Sequence, residues 1–237
     1  MEEAVLFSVE NQTGIITLNR PERRNAMNKA LITGLYDALE EVTGNDTIRC
    51  AIITGNGPSF CSGIDLSVLG KENIFDPRGD GKDLPDFFIN CPKPIIGAVN
   101  GHAITGGFEI ALNCDFLIAS EEASFADTHA KVGIHPGWGM TQLLQQAVGQ
   151  RMAKQLSCTG QFLSARDALQ CGLVNEVLPQ QDLMPRAIEI CRQICETKED
   201  LLPVIMGLIN KRNSGTLKES YDHERKEFRK FVARHMG

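Results

Sequence analysis

The stretch Lys93-Pro94-Ile95-Ile96-Gly97-Ala98-Val99-Asn100-Gly101-His102-Ala103-Ile104-Thr105-Gly106-Gly107-Phe108-Glu109-Ile110-Ala111-Leu112 constrains this chain more than any other. Ile95 to Val99 is a short apolar run between prolines and an asparagine, which suits a strand covered on both faces. Gly106 and Gly107 then let the backbone approach a neighbour closely and open a helix at its amide-rich end. N–H groups there can face an anionic oxygen, and Glu109 follows about one turn in. Oxyanion donors beside a general base suit chemistry alpha or beta to a carbonyl.

The rest of the composition narrows the setting. At 237 residues the chain can hold one large core or two modest domains. Hydrophobic residues make up 42% and charged residues 23%, an ordinary globular balance that does not indicate disorder. A net charge of −6 argues against a nucleic-acid partner, which calls for a basic face. No apolar run reaches the ~20 residues of a membrane span, so no membrane partner is expected. The start, Met1-Glu2-Glu3, is unlike a secretory or transit peptide, and the end, Arg234-His235-Met236-Gly237, is not a Ser-Lys-Leu address. The eight cysteines, Cys50, Cys61, Cys91, Cys114, Cys158, Cys171, Cys191 and Cys195, form no C-x-x-C pair. They read as reduced, mostly buried small hydrophobes, and no metal is expected. The default compartment is the cytosol, with a mitochondrial or peroxisomal setting as the alternative.

Along the chain, Val5 to Glu10 and Gly14 to Asn19 alternate or run apolar around Asn11-Gln12-Thr13-Gly14, a hairpin signal. Arg20-Pro21-Glu22-Arg23-Arg24-Asn25-Ala26-Met27-Asn28 is a polar, basic loop ending in a helix cap, and its Arg20, Arg23 and Arg24 are readable either as a solvated turn or as a clamp on phosphates. A helix with Ala30, Leu31, Leu35, Ala38, Leu39 and Val42 on one face follows. Cys50 to Thr54 is a buried strand. Lys71 to Asp83 is a surface loop expected to be mobile, and its place suggests a flap. Leu84 to Cys91 is a short helix whose Phe87 and Phe88 suit either a pocket wall or the core. Asp115 to Ser120 and Leu173 to Leu178 read as strands, with helices over Met140 to Val148 and Arg151 to Ser157. His102 is expected to be structural within a buried stretch. After Gln180 only helices follow, near Leu183–Cys195, Leu201–Arg212 and Leu217–Arg234, which marks a subdomain boundary.

The run from Ile95 to Ala119, with Phe60-Cys61-Ser62-Gly63-Ile64-Asp65-Leu66 before it and Gly133-Ile134-His135-Pro136-Gly137-Trp138-Gly139 after it, resembles the enoyl-CoA hydratase/isomerase (crotonase) family. The resemblance extends from about Gly14 to about Val177. It implies an α/β fold: a spiral of ββα units over residues 1–180, then a helical region over 181–237 through which trimers or hexamers assemble. The implied substrate is a coenzyme A thioester, with no separate cofactor. Its carbonyl would be polarised by the backbone N–H groups of Ile64 and Gly106, and Glu109 would be the acid–base group. Contacts to coenzyme A would come from Arg24, Ala26, Ser62, Gly63, Asp65 and Leu66.

Two departures stand out. Family hydratases use a second glutamate after the next strand, where this chain has His129, with Asp127 the nearest acid. The C-terminal helix that usually covers the site would be incomplete by Gly237. Histidine can serve as acid or base at neutral pH, but it is also a common hydrogen-bonded loop residue. The expected activity is therefore hydration of a 2-enoyl-CoA. A double-bond isomerase, another acyl-CoA lyase or hydrolase of the same fold, and a non-catalytic acyl-CoA-binding subunit are the alternatives.

Overall fold

The computed structural model describes residues 3–235. Met1, Glu2, Met236 and Gly237, read above for targeting signals, lie outside the described residues. The chain opens with strands β1 (Val5–Glu10) and β2 (Thr13–Leu18), paired antiparallel from Val5–Leu18 to Glu10–Thr13. Asn11 and Gln12 both take positive φ, 46° and 67°, as a tight two-residue hairpin requires. Helix α1 (Lys29–Gly44) follows, capped by the Asn28 side chain on the Leu31 N–H, with Leu31, Leu35, Ala38, Leu39 and Val42 buried, whereas Ala30 in the first turn is exposed.

Strand β3 (Cys50–Gly55) leads to β4 (Ser59–Cys61), α2 (Leu84–Ile89), β5 (Ile95–Val99), β6 (His102–Ile104) and α3 (Gly106–Asn113). Then come β7 (Phe116–Ser120), β8 (Ser124–Ala126), α4 (His129–Val132) and α5 (Met140–Thr159), which is kinked where Gly149 has φ 78°. Strand β9 (Leu163–Ser164), α6 (Ala165–Gln170), β10 (Glu176–Leu178) and α7 (Leu183–Cys195) complete the first compact unit, which runs to Cys195.

Two sheets result. The larger has the order β1-β2-β3-β5-β7-β10, parallel from β2 onward, and the smaller has the order β4-β6-β8-β9. Each pair β3–β4, β5–β6 and β7–β8 steps from the large sheet to the small one, and this is the repeating unit of the spiral. The central strands β3 and β5 are buried on both faces, which explains their uninterrupted apolar runs. One face joins the main core; the other, with Cys50, Ile52, Ile96, Ala98 and Ile118, is covered by Leu183, Ala187 and Cys191 of α7. Helix α7 therefore belongs to the sheet unit, and the chain divides into compact units after Cys195 rather than near Gln180. The second unit carries α8 (Leu202–Lys211) and α9 (Leu217–His235).

Several local expectations change. Residues 71–83 form an irregular surface loop, but one tied down rather than free. Ile74 is buried, and Arg78 forks onto Glu40 at 2.9 and 3.0 Å while also meeting Asp37 and Asp80. Phe87 stacks on Tyr36 with ring centroids 4.1 Å apart, which makes it a core residue. His102 is exposed, because β6 carries it on the outer side of the small sheet, where its Nδ1 meets Ser124 Oγ. Of the strand expected over 173–178 only Glu176–Leu178 pairs with β7; Leu173 and Val174 are buried in the turn before it. All eight cysteines are free thiols, and Cys50, Cys61, Cys91, Cys114 and Cys191 are buried.

Candidate active site

The site forms where α3 starts against the end of β4. A Cβ built on Gly107 would lie 2.0 Å from the Cys61 carbonyl oxygen, so only glycine lets the first turn of α3 sit against this backbone. Gly63, with φ 90°, occupies the matching position on the other segment; a Cβ there would stand 3.5 Å from the Gly106 nitrogen. The strip 62–65 is braced by the segment 24–27. Ser62 N–H donates to the Arg24 carbonyl, Met27 N–H to the Gly63 carbonyl and Asp65 N–H to the Met27 carbonyl. Among the described residues, the N–H groups of Ile64 and Gly106 have no protein acceptor. Two uncommitted amides thus belong to segments in contact.

Glu109 lies one turn into α3, only 2% exposed. Its Oε1 accepts from the backbone N–H groups of Trp138 at 2.9 Å and Met140 at 3.2 Å. Its Oε2 faces His129 Nε2 at 3.5 Å. The other ring nitrogen, Nδ1, meets Asp127 Oδ1 at 2.7 Å, and the same oxygen accepts the His129 N–H. Asp127 and His129 are buried with Glu109. Burial alone would pull the His129 pKa down; the Asp127 and Glu109 carboxylates outweigh it and raise the value to about 9. Burial opposes the Asp127 charge too, yet hydrogen bonds from the His129 ring and the Ser157 hydroxyl hold its carboxyl below the usual range.

Thr105 ties the two halves together. Its hydroxyl is hydrogen-bonded to that of Thr128, beside His129, and its N–H donates to the Ala126 carbonyl at 2.8 Å. It sits at φ 53°, ψ −114°, a strained backbone for a β-branched residue, immediately before the helix that carries Glu109. Chemically, the buried cluster offers a carboxylate and an imidazole facing one another at 3.5 Å, with free amides near the helix start.

Residues 9–236 match the family described as enoyl-CoA hydratase/isomerase. The chain belongs to the enoyl-CoA hydratase/isomerase family. It is 38% identical over 212 residues to a protein of Arabidopsis thaliana named probable enoyl-CoA hydratase 1, peroxisomal, covering 86% of this chain and 78% of that one. Identity to a short-chain-enoyl-CoA hydratase of Clostridium acetobutylicum is 38% over 194 residues, covering 80% and 74%. A solved enoyl-CoA hydratase from Bacillus anthracis superimposes with a TM-score of 0.88 at 30% identity, covering 95% of this chain and 90% of that one.

With the enoyl-CoA hydratase/isomerase fold in place, the remaining expected positions fall on one strip. Arg24, Ala26, Ser62, Gly63, Asp65 and Leu66 are brought together by the backbone pairing of 24–27 with 62–65. Arg24 and Leu66 are exposed there. Arg20 is not: it turns inward, donating to the Ala26 carbonyl and pairing with Asp65 at 3.3 Å, so it is no phosphate clamp. The Asp65 carboxylate is committed to the Ser67 hydroxyl and N–H and to Arg20, which together lower its pKa against the effect of burial. His135 is exposed on its turn, with Nδ1 against the Pro136 carbonyl. Sequence reasoning did not find the Trp138 and Met140 amides that grip Glu109. The signal available was the Pro136-Gly137-Trp138-Gly139 turn, since such turns present consecutive N–H groups.

Proposed function

We propose that this chain is an enoyl-CoA hydratase, adding water across the double bond of a 2-enoyl-CoA. The buried Glu109–His129 pair, set beside the uncommitted N–H groups of Ile64 and Gly106, is the observation that carries this reading. The two amides polarise the thioester carbonyl and hold the enolate; each such donor contributes roughly 2.7–4 kcal/mol to a transition state of this kind. Glu109 activates water for attack at Cβ, and His129 or the same carboxylate handles the Cα proton, each acid–base role being worth about 10²–10⁴ in rate. The exposed Arg24 guanidinium suits the phosphates of coenzyme A, with Ala26, Ser62, Gly63 and Leu66 lining the same strip and Asp65 bracing it.

The hydratase names of the relatives support hydration over the alternatives. Exposed Ile205, Ile209, Tyr221 and Phe228 on α8 and α9 support self-association as a trimer or hexamer, which light scattering on the purified protein measures directly.

Crotonyl-CoA incubated with the protein should lose its conjugated thioester absorbance, and Glu109→Gln should abolish most of that loss. Product with a shifted double bond and no added water would make it an isomerase. Coenzyme A binding without turnover would make it a binding subunit.

A further inference from the structure

The geometry points to Asp127 as a positioning residue that holds His129 as an imidazolium with its Nε2–H toward Glu109, so that His129 donates the Cα proton and Glu109 serves only as the base. This rests on the hydration reading above. Asp127 Oδ1 accepts from both the ring Nδ1 and the backbone N–H of His129, at 2.7 and 3.2 Å, so a single carboxylate oxygen fixes both the ring and its stem. With Nδ1–H bound there, Nε2 can face only the 3.5 Å gap to Glu109 Oε2. Glu109 cannot swing to meet it at leisure, because its other oxygen is gripped by the Trp138 and Met140 amides.

The charged groups facing the ring are Asp127, from the segment after β8, and Glu109, from α3; the Ser157 hydroxyl of α5 acts on Asp127. Two carboxylates around one imidazole favour its protonated form, in agreement with a pKa raised to about 9. A family position that otherwise carries a carboxyl thus carries a cation, whose proton is available at neutral pH.

The proton balance closes within this group. Water adds its hydroxide to Cβ and gives its proton to Glu109 while His129 passes the Nε2 proton to Cα of the enolate. One 3-hydroxyacyl-CoA forms, leaving Glu109 protonated and His129 neutral. The Glu109 proton then returns to His129 Nε2 across the gap between them, directly or through one water, and both groups are ready for the next turnover.

The test uses isotope-labelled histidine and NMR on the full chain, with His129→Gln identifying the His129 signal among the five histidines. Wild-type His129 should titrate near 9. Asp127→Asn, which keeps the side-chain shape and removes the charge, should lower that titration by a unit or more, about tenfold or more in proton affinity. In parallel, kcat for crotonyl-CoA should fall along an alkaline limb near 9 in the wild type. In Asp127→Asn that limb should move to lower pH and kcat fall by about 10²-fold, with KM little changed. A wild-type His129 that titrates at or below its ordinary value overturns the assignment without need of any variant. An alkaline limb that stays in place in Asp127→Asn, or a change confined to KM, overturns the acid role. A wild type that consumes no crotonyl-CoA refutes the hydration reading and the acid role with it, while the titration reports separately on whether Asp127 charges His129.

Discussion

Nε2 of His129 stands 3.5 Å from Oε2 of Glu109, and both side chains are buried. Neither group reaches the other by chance. Glu109 is fixed by the Trp138 and Met140 amides, His129 by Asp127, and the Thr105–Thr128 bond joins the elements that carry them. The catalytic consequences follow from how little freedom this leaves.

Glu109→Gln should lower kcat for hydration by about 10²–10⁴-fold. The amide oxygen can still accept from Trp138 and Met140, so the fold should be kept, with a thermal midpoint lowered only by the loss of the Glu109 charge beside His129. A calorimetric scan beside the crotonyl-CoA assay separates loss of chemistry from loss of fold.

His129 also makes stability depend on pH. Its folded pKa of about 9 lies above the ordinary histidine value of 6.5, so the stabilisation is complete below 6.5 and is lost as pH rises through about 9. Urea unfolding across that window should show a falling midpoint, and the fall should be largely absent in His129→Gln.

Gly107→Ala should both destabilise and inactivate. The added methyl would meet the Cys61 carbonyl at 2.0 Å, and backbone rather than a flexible side chain must yield. Overpacking of this kind costs about 1–3 kcal/mol and would part the segments bearing Ile64 and Gly106. Denaturant midpoints and turnover should fall together.

Leu183→Ala tests whether α7 is part of the sheet unit. Leu183 is buried against the large sheet in the cluster with Ile52, Ile96 and Ile118. Its truncation should cost about 2–5 kcal/mol in equilibrium unfolding, whereas a residue on a detached helical region would cost far less.

The sequence shows most plainly what is local. The strand Ile95–Val99, the glycine turn and the helix bearing Glu109 are legible because burial, close approach and helix start each leave a mark within a few residues. The hairpin around Asn11-Gln12-Thr13-Gly14 is legible for the same reason, although Thr13 and Gly14 already belong to β2 and the turn is Asn11 and Gln12 alone. What is hidden depends on distant partners. Asp127 and His129 are two residues apart in a loop, so their contact depends on backbone angles that residue types do not dictate. Arg20 looks like a surface cation until Asp65 and the Ala26 carbonyl, brought in by the fold, claim it. The spacing of Leu183, Ala187 and Cys191 marks an apolar helix face but not the sheet it covers.

The most direct test of the account is to incubate the wild-type chain with crotonyl-CoA in heavy-oxygen water and weigh the product by mass spectrometry. A 3-hydroxyacyl-CoA carrying one heavy oxygen on the acyl chain, absent with Glu109→Gln, is the predicted result. Unchanged thioester, an unlabelled isomer, or heavy oxygen found only in a released carboxylic acid would contradict it.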